Sequence, residues 1–135
     1  MSQKQSILPT ILLVEPDDSV RPVLIENLRN WGYNVIVTLN AADAIQGIRG
    51  KGKLFDLLLM NQFGRSIEEF IDIGRDIRRQ ADVSSTTPIV IMAEQYGVEL
   101  EGKNVQMGDS EYVTYLEDGQ QLRQLLSQLC PVCHS

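Results

Sequence analysis

Polar side chains that could bind a metal ion follow two apolar runs of the sequence. Glu15 follows the run ILLV, with Asp17 and Asp18 just beyond Pro16, and Asn61 ends the run FDLLLM. Carboxylate and amide oxygens are ligands for hard cations such as Mg²⁺. The same residues also suit capping, with the acids at the start of a helix and Asn61 in a turn, and we favour this simpler interpretation. A neutral carboxamide is a poor nucleophile, so Asn61 predicts no covalent catalysis.

The C-terminal residues form a second chemical motif. Cys130, Cys133 and His134 fit the pattern C-x-x-C-H, which is typical of covalent haem attachment. Attachment requires export, whereas the early run ILPTILLV lacks the cleavage site of a signal peptide. We therefore expect no cofactor and favour an unstructured tail. A redox pair or half a zinc site formed by Cys130 and Cys133 is the alternative.

The stretch GIRGKGKL, residues 47–54, matches most of a phosphate-binding loop. The motif requires Ser or Thr after the lysine, and Leu54 stands there instead. The stretch also leads from a helix into a strand, the reverse of the order that points backbone amides at a phosphate. We interpret it as a flexible turn.

The composition bounds the class of protein. The 135 residues are 43% hydrophobic and 22% charged, which is typical of one soluble globular domain. No apolar run reaches the roughly 18 residues that a membrane helix needs. The net charge is −6 and no basic stripe stands out, which disfavours nucleic acid as a partner. We expect a cytoplasmic domain that binds another protein and neither nucleic acid nor a membrane.

The elements that position these side chains alternate between strands and helices. Ser66 and Glu69 form a capping box at the start of one helix. Alternation of short apolar strands with helices predicts a parallel sheet with helices on both faces. The segment 95–107 has weak periodicity, and we predict a short or loose helix there. The predicted strands are 10–14, 33–37, 55–60, 89–92 and 111–115, and the other predicted helices start near residues 20, 40, 67 and 117.

The sequence resembles the receiver domain of two-component response regulators. The stretches ILLVEPDDSVR, WGYNV, FDLLLMN, PIVIM and GDSEYV occur in that family's order and spacing. The resemblance implies a flavodoxin-like (βα)5 fold, a doubly wound parallel sheet of order 2-1-3-4-5 in three α/β/α layers. Its crevice would lie at the carboxyl ends of the strands. We expect a domain over residues 10–130, with tails at 1–9 and 131–135.

The resemblance also implies which positions would carry phosphoryl chemistry. Such domains have a phosphoacceptor aspartate after the third strand, an acidic Mg²⁺-binding pair after the first, a hydroxyl after the fourth and Lys-Pro after the fifth. A carboxamide cannot form an acyl phosphate, and loss of the carboxylate and the lysine removes the charges that phosphoryl transfer needs. We therefore expect a pseudo-receiver that is not an enzyme and binds no metal. The matching positions are Asn61, then Glu15 and Pro16 with Asp17 one place beyond, then Ala93, then Tyr115 and Leu116.

A module of this kind would act through protein contact. The resemblance implies a partner such as a histidine kinase, another regulator or an output protein. We expect contact through the face of the fourth helix, the fifth strand and the last helix, represented by Tyr112 and Val113, and a homodimer could use the same face. We expect Tyr115 to fill the crevice.

Two alternatives remain. One is a crevice that senses a small ligand or a metal near Glu15, Asp17, Asn61 and Tyr115. The other is a redox or haem protein that acts through the C-terminal motif.

Overall fold

The computed structural model describes residues 8–48 and 55–132, which form one mixed sheet between two layers of helices. The GIRGKGKL stretch lies largely outside these residues. The elements in chain order are β1 (Thr10–Val14), α1 (Arg21–Asn30), β2 (Asn34–Thr38), α2 (Ala41–Ile48), β3 (Leu57–Asn61), α3 (Ile67–Gln80), β4 (Ile89–Met92), β5 (Asn104–Gln106), β6 (Glu111–Thr114) and α4 (Gly119–Leu129).

The sheet has the order β2-β1-β3-β4-β6-β5. Its first five strands are parallel and correspond to the five predicted strands in the order 2-1-3-4-5, so the predicted flavodoxin-like α/β fold is confirmed. The sixth, β5, was not predicted and pairs antiparallel with β6 at the edge of the sheet.

The prediction of a helix over residues 95–107 is wrong. The chain instead makes turns and then forms β5. Gly102 has a φ of +87°, a conformation that suits glycine and interrupts a right-handed helix. Its N–H donates to the carbonyl of Tyr115 at 2.7 Å. This bond turns the chain back against the end of β6.

The central strands β1, β3 and β4 are buried on both faces, which explains their nearly continuous apolar sequences. Leu58 belongs to a cluster with the apolar sides of α2 and α3. Its neighbour Leu59 belongs to the opposite cluster, with α1 and α4. The capping box at the start of α3 is confirmed, because Ser66 Oγ accepts from the N–H of Glu69 at 3.1 Å and the Glu69 carboxylate accepts from the N–H of Ser66 at 3.0 Å.

A buried ion pair fastens β6 to α3. Glu111 Oε2 accepts from Arg78 Nη2 at 2.8 Å, and Glu111 Oε1 accepts from Arg75 Nη2 at 3.0 Å. Arg78 also donates to the carbonyl of Thr87 at 2.9 Å. Gly108 makes room for this arrangement, since a Cβ there would lie 2.1 Å from Glu111 Oε1.

The helices of the described segments give no candidate for a membrane span, since none combines enough length with enough hydrophobicity. The domain limits at residues 10 and 130 stay predictions. Val132, just beyond the second limit, packs against the cluster of α1 and α4.

Candidate functional site

The crevice forms where β1 and β3 end side by side. Val14 is in register with Met60, so the next residues, Glu15 and Asn61, lie next to each other across the two strands. Asn61 Nδ2 donates to Glu15 Oε1 at 2.8 Å. The amide of Asn61 therefore links two strands, a role that the turn-cap interpretation did not include.

Glu15 is a buried carboxylate that backbone and amide donors satisfy. Its exposed fraction is 0%. Glu15 Oε2 accepts from the N–H of Asp17 at 3.2 Å, and Asn61 contacts the other oxygen. Burial raises the pKa of Glu15 above its ordinary value, while these two hydrogen bonds act in the opposite direction. Amide donors thus stabilise the charged form where a cation could otherwise do so.

Asp17 caps the turn that leads into α1. Its Oδ1 accepts from the hydroxyl of Ser19 at 2.7 Å and from the N–H of Ser19 at 2.8 Å. These hydrogen bonds from Ser19 lower the pKa of Asp17. Asp18 forms an ion pair with Arg21, whose Nη1 also donates to the carbonyl of Glu15 at 2.9 Å. Asp17 thus stabilises the turn before α1, but the prediction that Asp17 or Asp18 is the N-cap of the helix is wrong, because the N-cap is Val20 and no side chain caps it.

The crevice does not fit the magnesium ion that receiver domains imply. Mg²⁺ requires several oxygen ligands in octahedral geometry. Glu15 is already hydrogen-bonded through both oxygens, Pro16 has no side-chain ligand and Asn61 turns its NH₂ group towards Glu15. Over the residues described, no group of three His, Cys, Asp or Glu side chains could hold a metal ion.

The positions after β4 and β6 carry apolar and aromatic side chains. Ala93 follows β4 and is partly buried against the cluster of α2 and α3. Tyr115 follows β6 and packs edge-to-face on Tyr96, with ring centroids 5.4 Å apart. The hydroxyl of Tyr96 donates to the carbonyl of Leu116. Tyr115 thus contributes to an aromatic pair at this end of the sheet, and its filling of the crevice stays a prediction.

The predicted interface needs a correction. Val113 has an exposed fraction of 0% and lies in the core, so it is not available to a partner. Successive residues of β6 face opposite helical layers, and Tyr112 is partly buried against α1 and α4. The fourth helix of the predicted face is replaced by turns and β5.

The C-terminal motif is only partly described. Cys130 is buried at the end of α4, and its carbonyl accepts from the hydroxyl of Tyr33 at 2.8 Å. Burial raises the pKa of Tyr33 to about 12. Cys133 and His134 lie outside the described residues, so the pairing of the cysteines stays a prediction.

Sequence reasoning missed a pocket of about 600 Å³ beside the crevice. It lies between the ends of β1 and β3, the start of α2 and the first turns of α3. Pro16 and Asn61 line it, whereas Asp17 and Tyr115 do not. The sequence feature that could have indicated the pocket is Phe63, a large apolar residue two positions after Asn61. In the structure Phe63 is exposed.

The sheet order and the position of the crevice define the class: the chain has the flavodoxin-like fold of response-regulator receiver domains. No family model matches it. The fold is similar to the chemotaxis response regulator CheY4 of Vibrio cholerae, with a TM-score of 0.66 and 16% identity, covering 91% of this chain and 99% of that one. It is also similar to the receiver domain of the sensor histidine kinase PA1611 of Pseudomonas aeruginosa, with a TM-score of 0.63 and 20% identity, covering 92% and 98%.

A more specific likeness comes from the sequence. Over 103 residues, 76% of this chain, it is 27% identical to the two-component response regulator-like protein APRR5 of Arabidopsis thaliana. The match spans 18% of that protein. The resemblance noted from the sequence is therefore confirmed at the level of the fold.

Proposed function

We propose that this chain is a pseudo-receiver, a signalling module that acts by protein contact and is not switched by aspartyl phosphorylation. The hydrogen bond of 2.8 Å from Asn61 to Glu15 carries this proposal. An aspartate at position 61 would offer a charged nucleophile, whereas the carboxamide offers none. The NH₂ group of Asn61 also takes the place of a cation beside the buried carboxylate of Glu15.

The other crevice positions support the same conclusion. Phosphoryl transfer depends on cations that neutralise the developing charge. Tyr115 supplies no such charge, Ala93 supplies no hydroxyl and Pro16 supplies no metal ligand. The module accordingly performs no catalysis and uses no cofactor.

The surface that supports partner binding lies at the β5 edge of the sheet. Met107 is 42% exposed, and Tyr112 pairs in register with Gln106 on β5. A half-buried tyrosine suits an interface because it combines apolar area with a polar tip. The start of α4 lies beside β5, since Gln121 Nε2 donates to Asn104 Oδ1 at 2.9 Å. The exposed side of α4 carries uncharged polar side chains, Gln124 and Gln128 among them. The partner is a protein of the cytoplasm, a kinase, another regulator, an output protein or a second copy of this chain.

Exposure to acetyl phosphate and Mg²⁺, followed by intact-mass measurement, tests the proposal. We expect no gain of a phosphoryl group and no saturable change in Trp31 fluorescence with beryllofluoride. A phosphorylated wild-type chain would contradict the proposal.

Two variants test whether Asn61 alone prevents phosphorylation. Asn61→Asp should remain unphosphorylated, because Pro16, Ala93 and Tyr115 are unchanged. The variant that also carries Pro16→Asp, Ala93→Thr and Tyr115→Lys should accept the phosphoryl group and serves as the positive control. If the single variant is phosphorylated as fast as the fourfold variant, the other three positions do not matter independently.

A further inference from the structure

The pocket beside the crevice has the size of a small-molecule site. Its volume is about 600 Å³, within the range of about 300–1,000 Å³ typical of such sites. Nine of its twelve described lining residues are apolar, and they come from four elements, β1, α2, β3 and α3, and from the loops after β1, β2 and β3. Apolar lining from several elements of a rigid sheet makes a preformed concave surface.

Two large apolar side chains stand exposed at this pocket. Phe63 is 63% exposed and Leu39 is 47% exposed, and both line it. Phe70 and Met60 form its buried side. A bound apolar group would remove Phe63 and Leu39 from water, which is favourable in proportion to the apolar area covered.

The polar lining defines the charge of the occupant. The polar residues that line the pocket are Asn40, Asn61 and Arg65, and no carboxylate occurs among the described lining residues. This is notable in a chain of net charge −6. Asn40 caps α2, since its Oδ1 accepts from the N–H of Asp43 at 2.8 Å. The Asp43 carboxylate accepts from the N–H of Leu39 at 3.0 Å and offsets the positive end of that helix, so the charge that favours an anion is that of Arg65.

We propose that the pocket binds a small amphipathic anion, an aromatic ring system that carries one carboxylate or sulfonate. The rings would pack on Phe63 and Phe70, and the anionic group would face Arg65. This site does not use phosphoryl chemistry, so its test is independent of the result with acetyl phosphate.

Two fluorescent probes with the same rings test both parts of the proposal. Anilinonaphthalene sulfonate carries the anion, and phenylnaphthylamine lacks it. We expect saturable binding of both to one site, with the sulfonate binding more tightly. Ala42→Trp, at an exposed position in the lining, should raise the dissociation constants of both probes at least tenfold. Arg65→Gln should raise only that of the sulfonate, by about three- to fivefold, which is the scale of an exposed ion pair.

Matched substitutions on α4 serve as controls. Arg123→Gln makes the same chemical change as Arg65→Gln, and Gln124→Trp introduces an exposed tryptophan as Ala42→Trp does. Both variants should leave both dissociation constants unchanged. Near-UV circular dichroism confirms that each variant is folded, and NMR shifts on the wild-type chain should centre on the start of α2 and on α3.

Several results would overturn the proposal. Non-saturable binding, shifts centred on α4, or a dissociation constant unaffected by Ala42→Trp would remove the site. Equal affinity of the two probes, or an equal effect of Arg65→Gln on both dissociation constants, would show that the site does not prefer an anion.

Discussion

Asn61→Asp should destabilise the fold, because it places a second carboxylate against a buried one. In the wild-type chain Asn61 Nδ2 lies 2.8 Å from Glu15 Oε1. The substitution replaces that donor with an oxygen of similar size. The hydrogen bond to the charged Glu15 is lost, and two like charges then face each other at a partly buried position.

The magnitude follows from these two effects. A hydrogen bond to a charged group contributes about 1.5–3 kcal/mol. Two unit charges about 4 Å apart repel by about 4 kcal/mol at an effective dielectric constant near 20. Because the pair can take up a proton and relax, we expect the free energy of unfolding at pH 7 to fall by about 2–4 kcal/mol.

The loss should depend on pH. Repulsion raises the pKa of the carboxylate pair in the folded state, above the ordinary value of 4.5 for a glutamate. The folded state then holds a proton that the unfolded state has released. The destabilisation is therefore complete above the raised pKa and shrinks as the pH falls towards 4.5.

Urea unfolding followed by Trp31 fluorescence at several pH values measures the free energy of unfolding of the wild type and of Asn61→Asp. The control is the exchanged pair, Glu15→Gln with Asn61→Asp, which restores one amide and one carboxylate and should recover most of the stability. The reasoning is refuted if Asn61→Asp is as stable as the wild type at pH 7, or if the exchanged pair is no more stable than the single variant.

Three further predictions concern the framework. Glu111→Gln leaves the buried Arg78 without its anionic partner and should cost about 3–5 kcal/mol at pH 7. Burial raises the pKa of Glu111, but the hydrogen bonds and charges of the two arginines outweigh it and lower the pKa below 4.5. The difference in the free energy of unfolding between Glu111→Gln and the wild type, measured with urea, should therefore narrow below pH 4.5. A difference that stays constant with pH would contradict this prediction. Gly108→Ala should lower the free energy of unfolding by about 1–3 kcal/mol through overpacking. Gly119→Ala is the control and should not change it, because nothing lies within 4 Å of the new Cβ. Equal midpoints of the two variants in thermal unfolding would refute this prediction. Ser66→Ala should lower the free energy of unfolding by about 1 kcal/mol by removing the cap of α3, and no change in the urea midpoint would contradict that role.

The framework of the fold could be predicted because its signals are local. Runs such as residues 11–14 and 89–92 are apolar throughout, as is typical of buried parallel strands. The capping box of Ser66 and Glu69 is likewise encoded within four residues. The conformation of the segment 95–107 could not be predicted from local patterns, because it depends on the positive φ of Gly102 and on pairing with β6.

The candidate site could likewise be predicted from the sequence only in part. The sequence by itself determined which chemical groups stand at the crevice, since an amide at position 61 and a tyrosine at position 115 supply neither a carboxylate nor an ammonium group wherever they point. Only the tertiary structure decided that Asn61 donates to Glu15, that Val113 is buried and that a pocket lies beside the crevice. These contacts join residues that are distant in the chain, as Glu15 and Asn61 are, 46 positions apart. Local sequence patterns carry no direct record of such contacts, because strand register and helix packing bring the groups together.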